Sequence, residues 1–151
     1  MSVEERLTEL GIVLPNPSAL ALYRPAVRSR DLVYVSGQVA MRDGAIVHPG
    51  KLGAGVSVEQ GREAARVCTI NALGAAQALL GSLEGVRVIR AVGYVASTPE
   101  FKEQPQVVNG ASELLRDVFG EEQGVGARLA LGVSSLPADS PVELELILET
   151  D

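Results

Sequence analysis

The chain has 151 residues, 46% hydrophobic and 21% charged, and this ordinary globular composition excludes a disordered, collagen-like or coiled-coil chain. Thirteen basic and nineteen acidic residues give a net charge of −6. We therefore expect neither nucleic acid nor an anionic membrane as a partner, because surfaces that bind phosphates are basic.

The length fits a single domain over residues 1–151, since a chain of this size can bury a sufficient core. Cys68 is the only cysteine, so an internal disulfide is excluded and a reducing compartment is favoured. The sequence has neither the pattern of a signal peptide nor an apolar run long enough to span a bilayer. We expect a cytoplasmic protein.

The N-terminal residues 1–20 are predicted to form an appendage that is first helical and then extended. Residues 3–10 have the spacing of a short amphipathic helix, and Gly11 is typical of a helix end. Prolines restrict the backbone across residues 12–26, which predicts coil or an edge strand there. The short helix is expected to pack against the main body.

A β-branched run at Leu32–Ser36 predicts a strand, and Arg42–Gly44 has the composition of a hairpin turn. A long helix is predicted over Val58–Leu80, beginning with a capping box formed by Ser57 and Gln60. Its sheet-facing stripe, spaced by three and four residues, is predicted to be Ala65, Cys68, Ala72, Ala75 and Leu79.

The second half of the chain is predicted to form a strand, a helix and two further strands. They span Val86–Ala96, Glu103–Phe119, Arg128–Ser134 and Val142–Glu149. The order β-β-α-β-α-β-β predicts a two-layer α+β fold, with a mixed sheet and two helices on one face.

The other sheet face is left without a covering layer by this arrangement. In the last strand the leucines alternate with Glu143, Glu145, Ile147 and Glu149, so the helices can cover only one set. Because Val92, Tyr94 and Ile147 fall on the uncovered side, we expect a homo-oligomer in which open sheet faces pack together.

Several kinds of chemistry are disfavoured by the residues present. His48 is the only histidine, so neither a zinc or iron site nor a Ser-His-Asp triad finds the side chains it needs. The glycine-rich segment 48–56 lacks the basic residue and strand-helix context of a phosphate-binding loop. Cys68 is interpreted as a buried packing residue, since no neighbouring cation is visible to activate it.

Arg128 is the clearest candidate for a binding residue. Alternation predicts that Leu129, Leu131 and Val133 point into the core, while Arg128, Ala130 and Gly132 lie on the opposite face. A planar guanidinium beside two small side chains suits the bidentate binding of a carboxylate. The alternatives are a solvated arginine or an intersubunit salt bridge.

Glu143, predicted on the non-core face of the last strand, could activate water or orient an amine, or it could be an exposed strand residue. If the last two strands formed a simple hairpin, Glu143 would lie opposite the far end of the strand that begins with Arg128. A shared site then needs another strand arrangement.

Four further residues have both a functional and a structural interpretation. Tyr23 is a hydroxyl donor over a pocket or a packing aromatic. Ser36 and Gly37 end a strand where a ligand could approach the backbone, although turns use the same residues. Asn109 is a polar residue within the second long helix, where an exposed or capping role is usual.

These segments, in their order and spacing, resemble the Rid family of reactive-intermediate deaminases, also called YjgF-like proteins and labelled endoribonuclease L-PSP. The similarity runs from about Tyr23 to Glu149. It is carried by Tyr23–Val27, Leu32–Gln38, Asn71–Leu73, Val107–Asn109, Gly126–Arg128, Leu136–Pro137 and Val142–Glu145.

The resemblance implies a chorismate-mutase-like fold and a homotrimer with ligand clefts between subunits. It also implies hydrolysis of enamine and imine intermediates such as 2-aminoacrylate, without a cofactor or metal. Carried over, Arg128 would bind the substrate carboxylate and Glu143 would position or activate water. Tyr23, Ser36, Gly37 and Asn109 would line the pocket.

This chain has Ala127 and Ala130 where the family often has a proline and a cysteine, which leaves substrate preference open. The alternative function is a non-catalytic trimer that senses a small carboxylic acid through the same Arg128 pocket. Ribonuclease activity ranks last, because it conflicts with the acidic charge and the lack of a histidine pair.

Overall fold

A mixed five-stranded sheet with two long helices on one face is the framework of the molecule. This computed structural model describes residues 1–19 and 21–151. The helices are α1 (Val3–Glu9), α2 (Val58–Leu80), α3 (Gln104–Phe119) and α4 (Glu121–Gly124). The strands are β1 (Ala26–Ser29), β2 (Leu32–Val39), β3 (Met41–Arg42), β4 (Ala45–Ile46), β5 (Lys51–Leu52), β6 (Gly55–Val56), β7 (Arg87–Ala96), β8 (Ala127–Val133) and β9 (Val142–Glu149).

The five-stranded sheet has the order β1-β2-β9-β7-β8, and only the β7–β8 pair is parallel. Strands β8 and β9 follow one another in the chain but are separated in the sheet by β7. They therefore do not form a hairpin, and the position of Arg128 relative to Glu143 is set by the pairing of each strand with β7.

The long helix α2 confirms the prediction at both ends. Ser57 Oγ accepts a 3.1 Å hydrogen bond from the Gln60 amide, and Gln60 Oε1 accepts one of 3.0 Å from the Ser57 amide. The helix ends at Gly81, which has φ +83°, a conformation that glycine adopts without steric cost. Local residue types were thus sufficient to predict both ends of α2.

The predicted stripe on α2 is correct except at its last member. Ala65, Cys68, Ala72 and Ala75 are buried, whereas Leu79 is 43% exposed. A stripe that repeats every seven residues drifts by about 20° per repeat around a straight helix. By the last turn this drift has moved Leu79 out of the interface, and Leu80 packs against the core instead.

Strand β9 alternates as predicted, with Val142, Leu144, Leu146 and Leu148 buried and the intervening residues partly exposed. The buried set contacts the helix layer. The other set belongs to a sheet face that none of the described helices covers, which is called the open face below. It also carries Tyr34 and Leu129, each 46% exposed.

The predicted orientation of β8 is wrong. Arg128 pairs with Ala91 and Ala130 with Gly93, both on the helix-facing side of β7, so Arg128 and Ala130 face the helices. Leu129 lies on the open face. Because β8 is an edge strand, its parallel register with β7 decides which side faces the helices, and alternation within β8 cannot reveal this.

The N-terminal helix α1 packs against the main body. Its buried residue Leu7 belongs to the common core, and Glu84 Oε1 accepts hydrogen bonds of 2.7 and 3.3 Å from the first two helical amides. Gly11, with φ +69°, follows the helix end as predicted. Residues 12–19 are coil, and Leu20, the last residue of the predicted appendage, lies outside the described residues.

Among the described helices, none is long and apolar enough to cross a membrane.

Candidate functional site

Glu143 sits where β2 is interrupted by a bulge. In β9 it is in register with Val39 of β2 and Tyr94 of β7. Strand β2 has one residue more than β9 between Val35 and Gln38, so the ladder shifts at Ser36 and Gly37. A side chain at position 37 would collide with the Glu143 carboxylate. The bulge and the glycine together make room for this carboxylate.

Ser36 fixes the segment that carries Tyr23. Its hydroxyl donates a 2.6 Å hydrogen bond to the Arg24 carbonyl, and its amide donates one of 2.8 Å to the Pro25 carbonyl. Tyr23, 44% exposed, borders the same cleft as Gly37 and Glu143. The hydroxyl of Ser36 is therefore engaged in holding one wall of the cleft to β2.

The cleft at Glu143 has a volume of about 730 Å³. Four sequence-predicted site residues, Tyr23, Ser36, Gly37 and Glu143, line it together. This volume is within the range of about 300–1,000 Å³ that ligand sites in proteins commonly have. This cleft is called the Glu143 cleft from here on.

The electrostatics of the Glu143 cleft involve a second carboxylate and a tyrosine. Partial burial, and then the nearby charge of Glu145, raise the pKa of Glu143 above its ordinary value. Tyr94 donates a 2.6 Å hydrogen bond to Glu145 Oε1, and this bond raises the pKa of the tyrosine hydroxyl. Glu143 consequently holds a proton more readily than an isolated glutamate does.

Arg128 lies in a separate, smaller cleft of about 300 Å³ on the helix side of β8. Its Nη1 donates hydrogen bonds of 2.7 Å to Asn109 Oδ1 and 3.2 Å to Ser112 Oγ, both on α3. Within the described residues, Nε and Nη2 of Arg128 have no hydrogen-bond partner and the guanidinium makes no ion pair. Asn109 thus orients Arg128 and leaves part of its donor fork open.

Arg128 and Glu143 are far apart within one chain. Arg128 is beside Ala91 and Glu143 beside Tyr94, three residues further along β7, which is about 10 Å. The two strands flank β7, which adds about 10 Å across the sheet, and the side chains leave it on opposite faces. The sequence-predicted site residues therefore fall into two separate groups, one with Tyr23, Ser36, Gly37 and Glu143, the other with Asn109 and Arg128.

Two polar residues that the sequence reasoning did not single out as site residues hold the Glu143 cleft together. Asn71 Nδ2 on α2 donates to the carbonyls of Val39 (3.1 Å) and Met41 (2.9 Å). The buried Ser140 Oγ accepts a 3.0 Å bond from the Ala40 amide and donates a 2.7 Å bond to the Val142 carbonyl. The sequence gives one indication of the role of Asn71, which is a polar residue within an alanine-rich helix.

Cys68 and His48, the only cysteine and the only histidine of the sequence, both contact other groups of the protein. The Cys68 thiol is buried and 3.3 Å from the Val142 carbonyl, and burial raises its pKa well above the ordinary range. His48 Nε2 is 2.7 Å from Glu63 Oε2 at the surface. No group of three or more His, Cys, Asp or Glu side chains in residues 1–19 and 21–151 is arranged to hold a metal ion.

The sequence is similar to those of known proteins over nearly its whole length. The family profile described as Endoribonuclease L-PSP matches residues 14–150. Protein TCP17 of Trypanosoma cruzi is 42% identical over 149 residues, covering 97% of this chain and 93% of that protein.

Solved structures give the same result for the fold. Protein Atu1372 of Agrobacterium tumefaciens, described as having unknown function, is 45% identical, with a TM-score of 0.91 over 99% of this chain and 93% of that one. The YjgF gene product of E. coli is 20% identical, with a TM-score of 0.66 over 89% of this chain and 93% of that one. This likeness confirms the predicted chorismate-mutase-like α+β fold.

Proposed function

The chain belongs to the endoribonuclease L-PSP family, also called the Rid or YjgF-like family, and from this membership we propose a Rid-like deaminase activity. The substrates are reactive enamine and imine intermediates of the 2-aminoacrylate type, and the products are 2-oxo acids and ammonia. The observation that carries this proposal is that one chain presents a carboxylate beside Gly37 in one cleft and a partly open guanidinium at Arg128 in another. We call these two clefts the half-sites of the proposed active site.

Because one chain separates these half-sites, the proposed active unit is a homotrimer. The Glu143 cleft of one subunit faces the Arg128 cleft of the next, so that each complete site combines two copies. The apolar content of the open face supports this assembly, since Tyr34 and Leu129 would otherwise remain half-exposed.

In the proposed reaction Arg128 binds the substrate carboxylate through Nε and Nη2, while Asn109 holds Nη1. This places the imine carbon of the substrate opposite Glu143 of the neighbouring subunit. Glu143 accepts a hydrogen bond from water and orients the oxygen toward that carbon. The reaction needs orientation more than a strong nucleophile, because imines already react with water.

The atoms balance without a cofactor. An enamine substrate first becomes the imine, as a proton moves from its nitrogen to its terminal carbon. Water oxygen then bonds to the imine carbon and both protons of the water pass to the nitrogen, so the carbon–nitrogen bond breaks to release ammonia and leave a carbonyl. Glu143 is suited to exchanging the proton, because its raised pKa lies closer to neutrality than that of an exposed glutamate. A reducing cytoplasm is the proposed setting, based on the single cysteine.

The test couples the purified protein to a serine or threonine dehydratase and follows imine lifetime by trapping with semicarbazide. Acceleration of imine decay over buffer supports the deaminase. Tight binding of a small 2-oxo acid with no acceleration for several amino acids would replace it with the alternative function, a non-catalytic sensor of small carboxylates.

A further inference from the structure

The coil after α1 forms one wall of the Glu143 cleft. A side chain at position 74 of α2 would collide with the Pro15 carbonyl, so this carbonyl lies directly against Gly74. Asn71, one helical turn earlier on the same face of α2, borders the cleft. The chain therefore crosses α2 at the rim of the cleft, and Pro15–Ser18 line it.

We propose that Pro15–Ser18 form a specificity wall that adapts the Glu143 cleft to 2-imino acids with large apolar side chains. This inference rests on the proposed function, because it assigns a substrate class to the same site. It concerns the part of the cleft away from the reacting groups.

The size of the cleft supports a large side chain. An imino acid derived from serine has about six non-hydrogen atoms and would displace about 180 Å³, if each atom is given the volume of a water molecule. The cleft has about 730 Å³. The cleft of the single chain is thus about four times as large as a three-carbon substrate.

The lining of the cleft supports an apolar side chain. Glu143 and Ser36 are polar groups close to the proposed reacting end. The other walls are mixed, and most of their surface is apolar. The apolar residues include Pro15, Pro17 and Met41, and the polar ones include Asn16, Ser18 and Gln38. Asn71, at the rim of the cleft, directs its Nδ2 to two backbone carbonyls. An apolar substrate side chain would thus be removed from water against a mostly apolar lining.

Helix α1 holds the N-terminal end of the wall in place. The family profile matches the chain from residue 14, and α1 precedes that residue. The helix is anchored by buried Leu7 and by Glu84. The wall is therefore tied at its N-terminal end to an ordered helix and, through Pro15, to Gly74 of α2.

The experiment compares imines of different size. A broad-specificity L-amino-acid oxidase supplies imines of leucine, methionine and phenylalanine, and a serine dehydratase supplies 2-iminopropanoate. We expect kcat/KM to favour the large imines by at least about tenfold, since one methylene in an apolar pocket changes specificity by about 10–200-fold. Equal kcat/KM for large and small imines would overturn the proposal.

A variant and its matched control locate the effect. Ser18→Trp adds a large side chain to an exposed residue of the wall, so it should lower kcat/KM for the leucine imine at least about tenfold more than kcat/KM for 2-iminopropanoate. Val13→Trp, at a position 91% exposed in the same segment, should change neither. An equal loss for both substrates in Ser18→Trp would contradict a specificity role.

Binding separates failure of this inference from failure of the proposed function. If no imine is turned over, the deaminase proposal is wrong, and calorimetry with 4-methyl-2-oxopentanoate and pyruvate tests the wall alone. Tighter binding of the larger acid, weakened by Ser18→Trp and not by Val13→Trp, supports the wall. Equal binding of both acids overturns it.

Discussion

The carboxylate of Glu143 occupies the space into which a side chain at position 37 would project. This relationship couples the two strands at the bulge: the extra residue in β2 and the absence of a Cβ at Gly37 are both needed for Glu143 to enter the cleft. The glycine is required here for space, since its φ is not in the left-handed region.

Gly37→Ala should therefore impair the site directly. The added methyl group displaces the Glu143 carboxylate, and overpacking of this kind costs about 1–3 kcal/mol of stability. We expect imine hydrolysis to fall at least about tenfold, because displacement of a reacting group by about 1 Å can cost a factor of about a hundred. Turnover kinetics and thermal unfolding measure the two effects. Unchanged turnover would show that the position of Glu143 is not important for the reaction.

Glu143→Gln should change how stability depends on pH. The pKa of Glu143 is raised above 4.5 by burial and by Glu145, so the folded chain binds this proton more tightly than the unfolded chain. This stabilisation is present below pH 4.5 and is lost as the pH rises through the raised pKa. The variant stays neutral, so it should be more stable than the parent at pH 7, with a smaller difference in acid.

Thermal unfolding of parent and variant across this pH range measures the difference. Glu149→Gln, at the exposed end of the same strand, is the matched control and should show no such trend. A difference between Glu143→Gln and the parent that is the same at every pH would contradict the assigned cause.

Arg128→Lys keeps the positive charge and removes the planar fork. A carboxylate held by two parallel hydrogen bonds should lose one of them, and a charge-assisted bond contributes about 1.5–3 kcal/mol. Catalytic efficiency should fall about tenfold to a hundredfold. Folding and assembly should survive, because Arg128 is exposed. A variant with full activity, or one that loses its trimer, would make Arg128 a structural residue.

Leu129→Lys should dissociate the proposed trimer. The substitution introduces a charge into the open face, where the proposed interface would have to bury it. Leu79→Lys is a matched control, since Leu79 is 43% exposed on α2 and Leu129 is 46% exposed on β8. Light scattering after size exclusion should show a trimer for the control and a smaller species for Leu129→Lys. Identical masses for the two variants would argue against the open face as the interface.

Features that depend on neighbours in the sequence were predictable. The capping box at Ser57 and Gln60, the Gly81 terminus of α2 and the alternation of β9 all follow from local residue types, and the structure has each of them. The orientation of β8 was not predictable in this way, because the partner strand β7 determines it. The predicted burial of Leu79 was wrong for a geometrical reason, because the stripe drifts around α2.

The candidate site was predictable as a set of residues and not as an arrangement. Glu143 and Arg128 were chosen by residue type, strand pattern and family resemblance, but their separation depends on β7 lying between β8 and β9. The contribution of Pro15 depends on its contact with Gly74, almost sixty residues later in the chain. Neither relationship has a signal in local spacing.

Because Arg128 and Glu143 are separated within one chain, the proposed activity should depend on the protein concentration. Each chain carries both halves but can use neither with itself, so activity per chain should fall on dilution below the dissociation constant of the assembly. Two inactive proteins, one altered at Arg128 and the other at Glu143, would regain intact sites when their subunits are mixed. A cell that carries two such damaged copies would thus retain part of the function that either copy alone has lost.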